Sequence, residues 1–372
     1  MPDASPTLSV LTPGAAAPNG GEAAEQTPRP LFDLSHDELV EWLAERGQPK
    51  FRAKQIREAV CRNRAESFDA IQTLPKTLRA ELNCAFTILP STVRQHLVSA
   101  DGTEKLLLGL ADGETLETVL MPEVDRRTVC VSSQVGCAMG CVFCASGLLG
   151  VKRNLSPGEM VEQVLRIQSL LPPDESLTNV VVMGLGEPMA NLPNVVRFLD
   201  VLTADEGLRM SPRRITVSTV GLPKPMREFA ALGRPYNLAV SLHAPREDLR
   251  TEIVPVNKSI GLPAVLDAAE HYFERTGRRV TYEYVLLAGR NDSDREAAEL
   301  VRLLRGRNAH VNLIPMNAVE QTGLTGSGSP ATTRFANRLR EGGVNVTVRR
   351  RRGADIDAAC GQLRLNESEA AG

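Results

Sequence analysis

The chain has 372 residues, 42% of them hydrophobic and 24% charged, and a formal net charge of -2. That length suffices for one large domain with a smaller appendage, and no apolar run approaches the roughly 20 residues that span a bilayer, which excludes a membrane-spanning role. The near-neutral total argues neither for nor against nucleic acid, because a phosphate-binding surface needs a local basic patch rather than a basic sum.

The opening Met1-Pro2-Asp3 lacks the basic region of a secretory signal, and the apolar stretch 8–11 is too short for a signal core, so a cytoplasmic protein is expected. Residues 1–30 are rich in Ala, Pro, Gly and Thr and predict a disordered tail. Over 31–90, apolar residues recur at helical spacing (Leu39, Trp42, Leu43, then Ile56 and Val60), and Ser35 with Glu38 forms a capping box, which predicts a small helical domain. Arg46, Lys50, Arg52, Lys54, Arg57, Arg62 and Arg64 crowd this segment. Taken alone they fit a solvated helix face as well as an RNA-binding surface. Residues 91–123 read as a short antiparallel meander, a hairpin linker turning at Asp101-Gly102 and Asp112-Gly113, with Glu117 on its last strand.

From residue 124 the pattern changes to strands alternating with helices, the signature of βα units. Strands are centred on 128–132, 179–183, 215–219, 238–242, 280–286, 311–314 and 346–348. The fold class is therefore α/β, a partial TIM-type barrel extending to 363, followed by a flexible tail over 364–372. Working residues of such barrels gather where the strands end, and Gly186-Glu187-Pro188, Ser218, Ser241-Leu242-His243 and Asn317 all follow apolar strands. An unbroken basic run, 349–352, closes the last strand.

Seven cysteines in a cytoplasmic chain point to metal or redox chemistry rather than a disulfide framework. Three of them form the run Cys137-Ala-Met-Gly-Cys141-Val-Phe-Cys144, directly after the first barrel strand. Three thiolates on one loop suit a 4Fe–4S cube whose fourth iron stays open to a chelating ligand. Structural zinc is the alternative, but it normally takes four protein ligands, and only Cys130 stands near enough in sequence to supply another.

This run, with Phe143 before its last cysteine, resembles the cluster motif of the radical S-adenosylmethionine superfamily, and Gly186-Glu187-Pro188 resembles the element that binds the methionyl amino group. Further segments resemble one family closely, the adenine-C2 RNA methyltransferases known as RlmN. They are Glu117-Thr118-Val119, Cys130-Val-Ser-Ser-Gln-Val-Gly-Cys137, Arg153-Asn154-Leu155, Ser241-Leu242-His243-Ala244-Pro245, Val311-Asn-Leu-Ile-Pro-Met-Asn317 and Asp355-Ile-Asp-Ala-Ala-Cys360-Gly-Gln-Leu363. The resemblance covers about 32 to 363.

It implies that Cys137, Cys141 and Cys144 hold the cluster, and that Gly186, Glu187, Ser218, Ser241, Leu242, His243 and Asn317 contact S-adenosylmethionine, two molecules of which serve each turnover. It also implies how an electron-poor carbon is methylated. Cys360 accepts a methyl group by displacement, and a second S-adenosylmethionine yields a 5'-deoxyadenosyl radical that takes a hydrogen from methyl-Cys360. The carbon radical adds to carbon 2 of adenine, Glu117 removes the ring proton, and Cys130 attacks the Cys360 sulfur to release the RNA, leaving a transient disulfide. The implied substrates are 23S rRNA and tRNA, with the N-terminal helical segment as RNA clamp. The implied electron donor is a flavodoxin or ferredoxin, and a monomer suits a site open to large RNA.

Each residue alone has a plainer reading: Cys130 and Cys360 as small core residues, Glu117 as a solvent-facing strand residue, His243 as a satisfied structural histidine. Cys61 and Cys84 have no motif around them and read as ordinary thiols. Two other functions stay open at this point, a sibling enzyme that methylates carbon 8, and a non-catalytic iron–sulfur or zinc RNA-binding protein.

Overall fold

The computed structural model describes residues 28–148, 150–317, 322–358 and 361–363. Cys360 and the two predicted tails, apart from residues 28–30, lie outside them. Three helices, α1 (His36–Ala44), α2 (Phe51–Cys61) and α3 (Lys76–Ala85), build the N-terminal unit, closed by the two-residue parallel strands β1 (Arg29–Pro30) and β2 (Phe86–Thr87). The capping box predicted from Ser35 and Glu38 forms in full: the Ser35 hydroxyl accepts the Glu38 N–H at 3.1 Å, and the Glu38 carboxylate accepts the Ser35 N–H at 2.6 Å. Leu39, Leu43, Ile56 and Val60 are buried together as their spacing requires.

The basic residues of this unit divide into two groups. Arg57 is only 3% exposed and donates to the Leu34 carbonyl, so it belongs to the interior rather than to a solvated face. Arg62 donates to Gly207 O, and Arg64 to the carbonyls of Leu171 and Glu175, which ties the unit to the main domain. Lys50, Phe51 and Lys54 remain exposed, with the Arg52 guanidinium over the Phe51 ring at 5.1 Å.

The predicted meander is β3 (Thr92–Val98), β4 (Glu104–Gly109) and β5 (Thr115–Glu123), turning at Gly102 and Gly113, both at positive φ. It is not a separate linker. β5 pairs antiparallel with β6 (Arg126–Cys130), Val119 opposite Cys130, so the meander continues into the main sheet.

Between β6 and the next barrel strand lies a hairpin that the sequence reading lacks, β7 (Gln134–Cys137) with β8 (Gly150–Asn154). The barrel strands that follow are β9 (Asn179–Val182), β10 (Ile215–Thr219), β11 (Asn237–Ser241), β12 (Val280–Leu286), β13 (Ala309–Pro315) and β14 (Asn345–Val348). The sheet has ten strands in the order β14-β13-β12-β11-β10-β9-β6-β5-β4-β3, and β6 with β9 to β14 runs parallel throughout. All seven predicted barrel strands are present. Among the described residues β14 pairs with β13 alone, and β6 at the other end pairs with β5, so the barrel is open rather than closed on itself.

The central strands β11 and β12 are buried almost throughout, as parallel strands covered on both faces are, whereas β9, β10 and β13 alternate buried with half-buried residues and the edge strand β14 is largely exposed. The helices start on local signals. Pro157–Leu170, for example, begins with a second capping box, Ser156 with Glu159, and a proline in its first turn. Among the described residues no helix is long and apolar enough to cross a membrane.

Candidate active site

The β7–β8 hairpin presents the three-cysteine loop. Its closure depends on Gly136, at φ +76°, where an added Cβ would stand 2.0 Å from Gly150 O. The loop is pinned from three sides: Val142 N–H donates to Ile253 O at 3.1 Å, Ala145 N–H to Gly361 O at 2.8 Å, and the Ser146 hydroxyl to Leu363 O at 3.1 Å. The Phe143 ring packs edge-on against His243, centroids 4.6 Å apart.

Cys137, Cys141 and Cys144 all line one cleft. Burial pushes the Cys137 thiol up to about 12, and it pushes Cys141 well above its ordinary value, with Cys144, Cys137 and Glu187 adding to the effect. Such thiols ionise when a bound cation offsets the burial. Among the described residues no three His, Cys, Asp or Glu side chains converge on a point where one ion would sit. Three thiolates on one loop suit a cube in which each holds a different iron and the fourth iron stays open to a chelating ligand. The donor set fits a 4Fe–4S cluster.

The opposite wall is built from strand ends. Gly186, Glu187, Ser218, Ser241, His243 and Asn317 line the same cleft, whose empty space is about 950 Å³ including the open space at its mouth. Gly186 has φ +102°, and a Cβ there would meet the Gln134 backbone nitrogen at 2.7 Å. The Glu187 carboxylate accepts N–H groups from Met189 at 3.0 Å and Val220 at 2.7 Å. A carboxylate has about four acceptor positions, so capacity remains toward the cleft. Burial raises the Glu187 pKa, while Val220, Thr219 and Met189 pull it down; an arriving ammonium would complete the ionised form.

His243 adopts φ +60°, and its Nδ1 accepts the Val285 N–H at 3.1 Å, which leaves Nε2 to carry the proton of the neutral ring. Burial, with the Arg250 charge adding, depresses its pKa to about 3. Leu242 stands apart from the other predicted contacts. Its side chain is in the core, its N–H donates to Glu283 O, and its carbonyl accepts from Arg250.

Cys130 lies outside this cleft, in a second cavity with Met121, Ala358 and Leu363. The two spaces share Met183, Ile314, Asn317 and Arg349. The described residues on either side of 359–360 are each anchored. On one side Gly353 N–H donates to Asp101, the Asp355 carboxylate accepts from Ser99 and Ala100, and Asp357 O accepts from Lys105. On the other, Gly361 and Leu363 bond to the cysteine loop. Glu117 is 6% exposed and ion-paired with Lys105 at 2.7 Å, so the solvent-facing reading of this residue is wrong. Among the described residues no disulfide links one cysteine to another. The expected Cys130–Cys360 disulfide gains no support here, because Cys360 is outside that set.

Gln134, Glu283 and Lys105 are neighbours of the site to which the sequence reading gives no role of their own. Gln134 accepts the Glu187 N–H at 2.8 Å and donates to Asn154 at 2.7 Å. Glu283 lines the cleft and accepts from Asn312 at 2.9 Å; burial raises its carboxyl against the Arg349 charge and that hydrogen bond. A lone carboxylate within the apolar strand Val280–Leu286 was the available signal.

An open barrel that gathers three cysteines, a buried carboxylate and strand-end polar groups around one cleft defines a radical S-adenosylmethionine enzyme. Residues 131–301 match the family model described as the Radical SAM superfamily, and residues 30–88 match the Ribosomal RNA large subunit methyltransferase N-terminal domain. The chain is 54% identical over 339 residues to a probable dual-specificity RNA methyltransferase RlmN of Rhodopirellula baltica, covering 91% of each. It is 44% identical over 348 residues to the Bacillus subtilis protein of the same description, covering 92% of this chain and 95% of the relative. The crystal structure of a radical SAM methyltransferase from Sphaerobacter thermophilus superposes with a TM-score of 0.88 at 47% identity, covering 91% of this chain and 99% of that one. The chain belongs to the RlmN family of radical S-adenosylmethionine RNA methyltransferases, whose cofactors are a 4Fe–4S cluster and S-adenosylmethionine.

Proposed function

We propose that the enzyme methylates carbon 2 of an adenine in 23S rRNA and in tRNA, through a methyl group carried on Cys360 and a transient protein–RNA adduct. The observation that carries this reading is the contiguity of the two cavities: the three-cysteine cleft with Glu187 adjoins the space that Cys130 shares with Ala358 and Leu363, on either side of Cys360 in the chain.

Carbon 2 lies in an electron-poor ring and cannot attack a methyl sulfonium, so a carrier and a one-electron route are required. When bound, the cluster supplies the electron for reductive cleavage of S-adenosylmethionine. Cys137, Cys141 and Cys144 hold it, and Glu187 takes the methionyl ammonium. Gly186 lets the backbone approach, and Ser218, Ser241, His243 and Asn317 offer donors and acceptors for ribose, adenine and carboxylate, with Leu242 fixing the strand end. Cys360 takes the methyl group by displacement, and Glu117 accepts the ring proton. Once the ring proton has left, the adduct gives one electron back along the route by which the reductant delivered it; Cys130 then attacks the Cys360 sulfur, the sulfur–carbon bond breaks as a disulfide forms, and the released methylene takes a proton. Two S-adenosylmethionine molecules serve each turnover, and a flavodoxin or ferredoxin supplies the electron. The N-terminal unit clamps the RNA, and the enzyme works in the cytoplasm as a monomer.

Replacing Cys130 with Ala leaves carrier and base in place but removes the resolving thiolate. A covalent protein–RNA species should accumulate on a denaturing gel and be absent from the Cys130→Ala/Cys360→Ala double variant. A folded, cluster-loaded Cys130→Ala enzyme that traps nothing, or a Cys360→Ala enzyme with wild-type turnover, would overturn the reading.

A further inference from the structure

Glu117 and Lys105 face each other across adjacent strands of the meander. Glu117 is registered opposite Leu107, so Lys105, two positions along β4, projects from the same face and reaches it diagonally. The ammonium meets the carboxylate at 2.7 Å, with both side chains 8% exposed. It also donates to Asp357 O at 3.2 Å. The Asp357 carboxylate in turn accepts the Gln362 amide at 3.1 Å, a bridge that spans the chain on both sides of residue 360.

Stability alone does not account for such a pair. Removing two charges from water costs several kcal/mol, and an apolar pair of similar volume commonly does as well. What an ammonium offers instead is three donors, of which one meets the Glu117 carboxylate and another the Asp357 carbonyl, so that a single side chain links the two.

We propose that Lys105 is a positioning residue for deprotonation of the adenine: it aims the Glu117 carboxylate and joins it to the chain segment that carries the methyl group. The inference rests on the proposed roles of Glu117 and Cys360. In the step it serves, the carbon 2–hydrogen bond breaks, a Glu117 oxygen–hydrogen bond forms, and the electron pair stays with the ring. Lys105 itself neither gains nor loses a proton.

The test is a double-mutant cycle on single-turnover formation of methylated RNA, with cluster content measured in each variant. Lys105→Met should slow the reaction at least ~10-fold, since an unaimed base loses much of a proton-transfer contribution of order 10²–10⁴-fold. Lys105→Arg should recover most of the rate. Lys105→Met/Glu117→Gln should be no slower than Glu117→Gln alone, because the lysine acts through the carboxylate. Should Lys105→Met fail to load its cluster, Lys105→Gln, which keeps a donor for Asp357 O and removes only the charge, is read by the same criteria. Wild-type rates in a cluster-loaded Lys105→Met or Lys105→Gln enzyme, or a double variant slowed by the product of the two single effects, would overturn the proposal. A Glu117→Gln enzyme with wild-type turnover would instead remove the reading of Glu117 on which it stands.

Discussion

Glu187 is held by two backbone N–H groups and faces the cleft with its remaining acceptor capacity. Glu187→Gln keeps the shape and one acceptor but loses the charge. A charge-assisted hydrogen bond contributes about 1.5–3 kcal/mol, so S-adenosylmethionine should bind roughly 10- to 100-fold more weakly, as equilibrium dialysis of the anaerobic enzyme would show. Unchanged affinity would remove Glu187 from the ammonium site. At this scale the sequence was most legible where a motif is local: the three cysteines and the Gly-Glu-Pro turn carry their spacing with them. Lys105 and Gln134 were not legible, because each acquires its partner through strand register or a loop crossing, and neither leaves a mark on its own neighbours in the chain. Glu117 looked exposed for the same reason, since its partner Lys105 and the Asp357 segment that Lys105 also holds come from elsewhere in the chain.

At the scale of elements, the β7–β8 hairpin and the C-terminal segment position the chemistry. Gly136→Ala combines a positive φ with a contact at 2.0 Å to Gly150 O, and should cost about 2–5 kcal/mol of unfolding free energy together with most of the bound iron. Urea titration and iron analysis of the variant would show both losses. The C-terminal anchor has a pH signature. Burial tends to raise the Asp101 carboxyl, but hydrogen bonds from Thr103, Gly353 and Ser99 outweigh it and hold it at about 2. A depressed carboxylate contributes its stability above the unfolded pKa near 4 and loses it as pH falls toward the folded value. Between pH 5 and 3 the wild type should therefore lose more stability than Asp101→Asn, read from urea midpoints; parallel curves would show that the anchor contributes nothing. The barrel strands were legible because buried β-branched runs alternate with capped helices. The hairpin was not, since Gln134–Cys137 and Gly150–Asn154 are short, mixed in polarity and separated by the cysteine loop.

For the whole molecule the question is how a large RNA reaches an enclosed site. The sequence placed a basic cluster in the N-terminal unit, but chemistry by residue type could not separate surface cations from ties, and the structure assigns Arg57, Arg62 and Arg64 to the second group. The exposed cations of that cluster are Arg46, Lys50 and Lys54, with the Phe51 ring exposed beside Lys50. Lys50→Ala/Lys54→Ala should weaken RNA binding and lower the slope of log affinity against log salt by up to about 2, leaving cluster content intact. Arg57→Ala should chiefly destabilise the unit. Equal salt slopes in the double variant and wild type would move the RNA contact elsewhere.

Methylation at carbon 2 rather than elsewhere on the adenine is read directly from the product. RNA incubated with the reduced, cluster-loaded enzyme and S-adenosylmethionine is digested to nucleosides and analysed by mass spectrometry against authentic standards. 2-Methyladenosine should form, and should be absent when Cys360 is replaced by Ala. Recovery of 8-methyladenosine in its place, or of unmodified adenosine from an enzyme that still cleaves S-adenosylmethionine, would overturn the assignment of carbon 2.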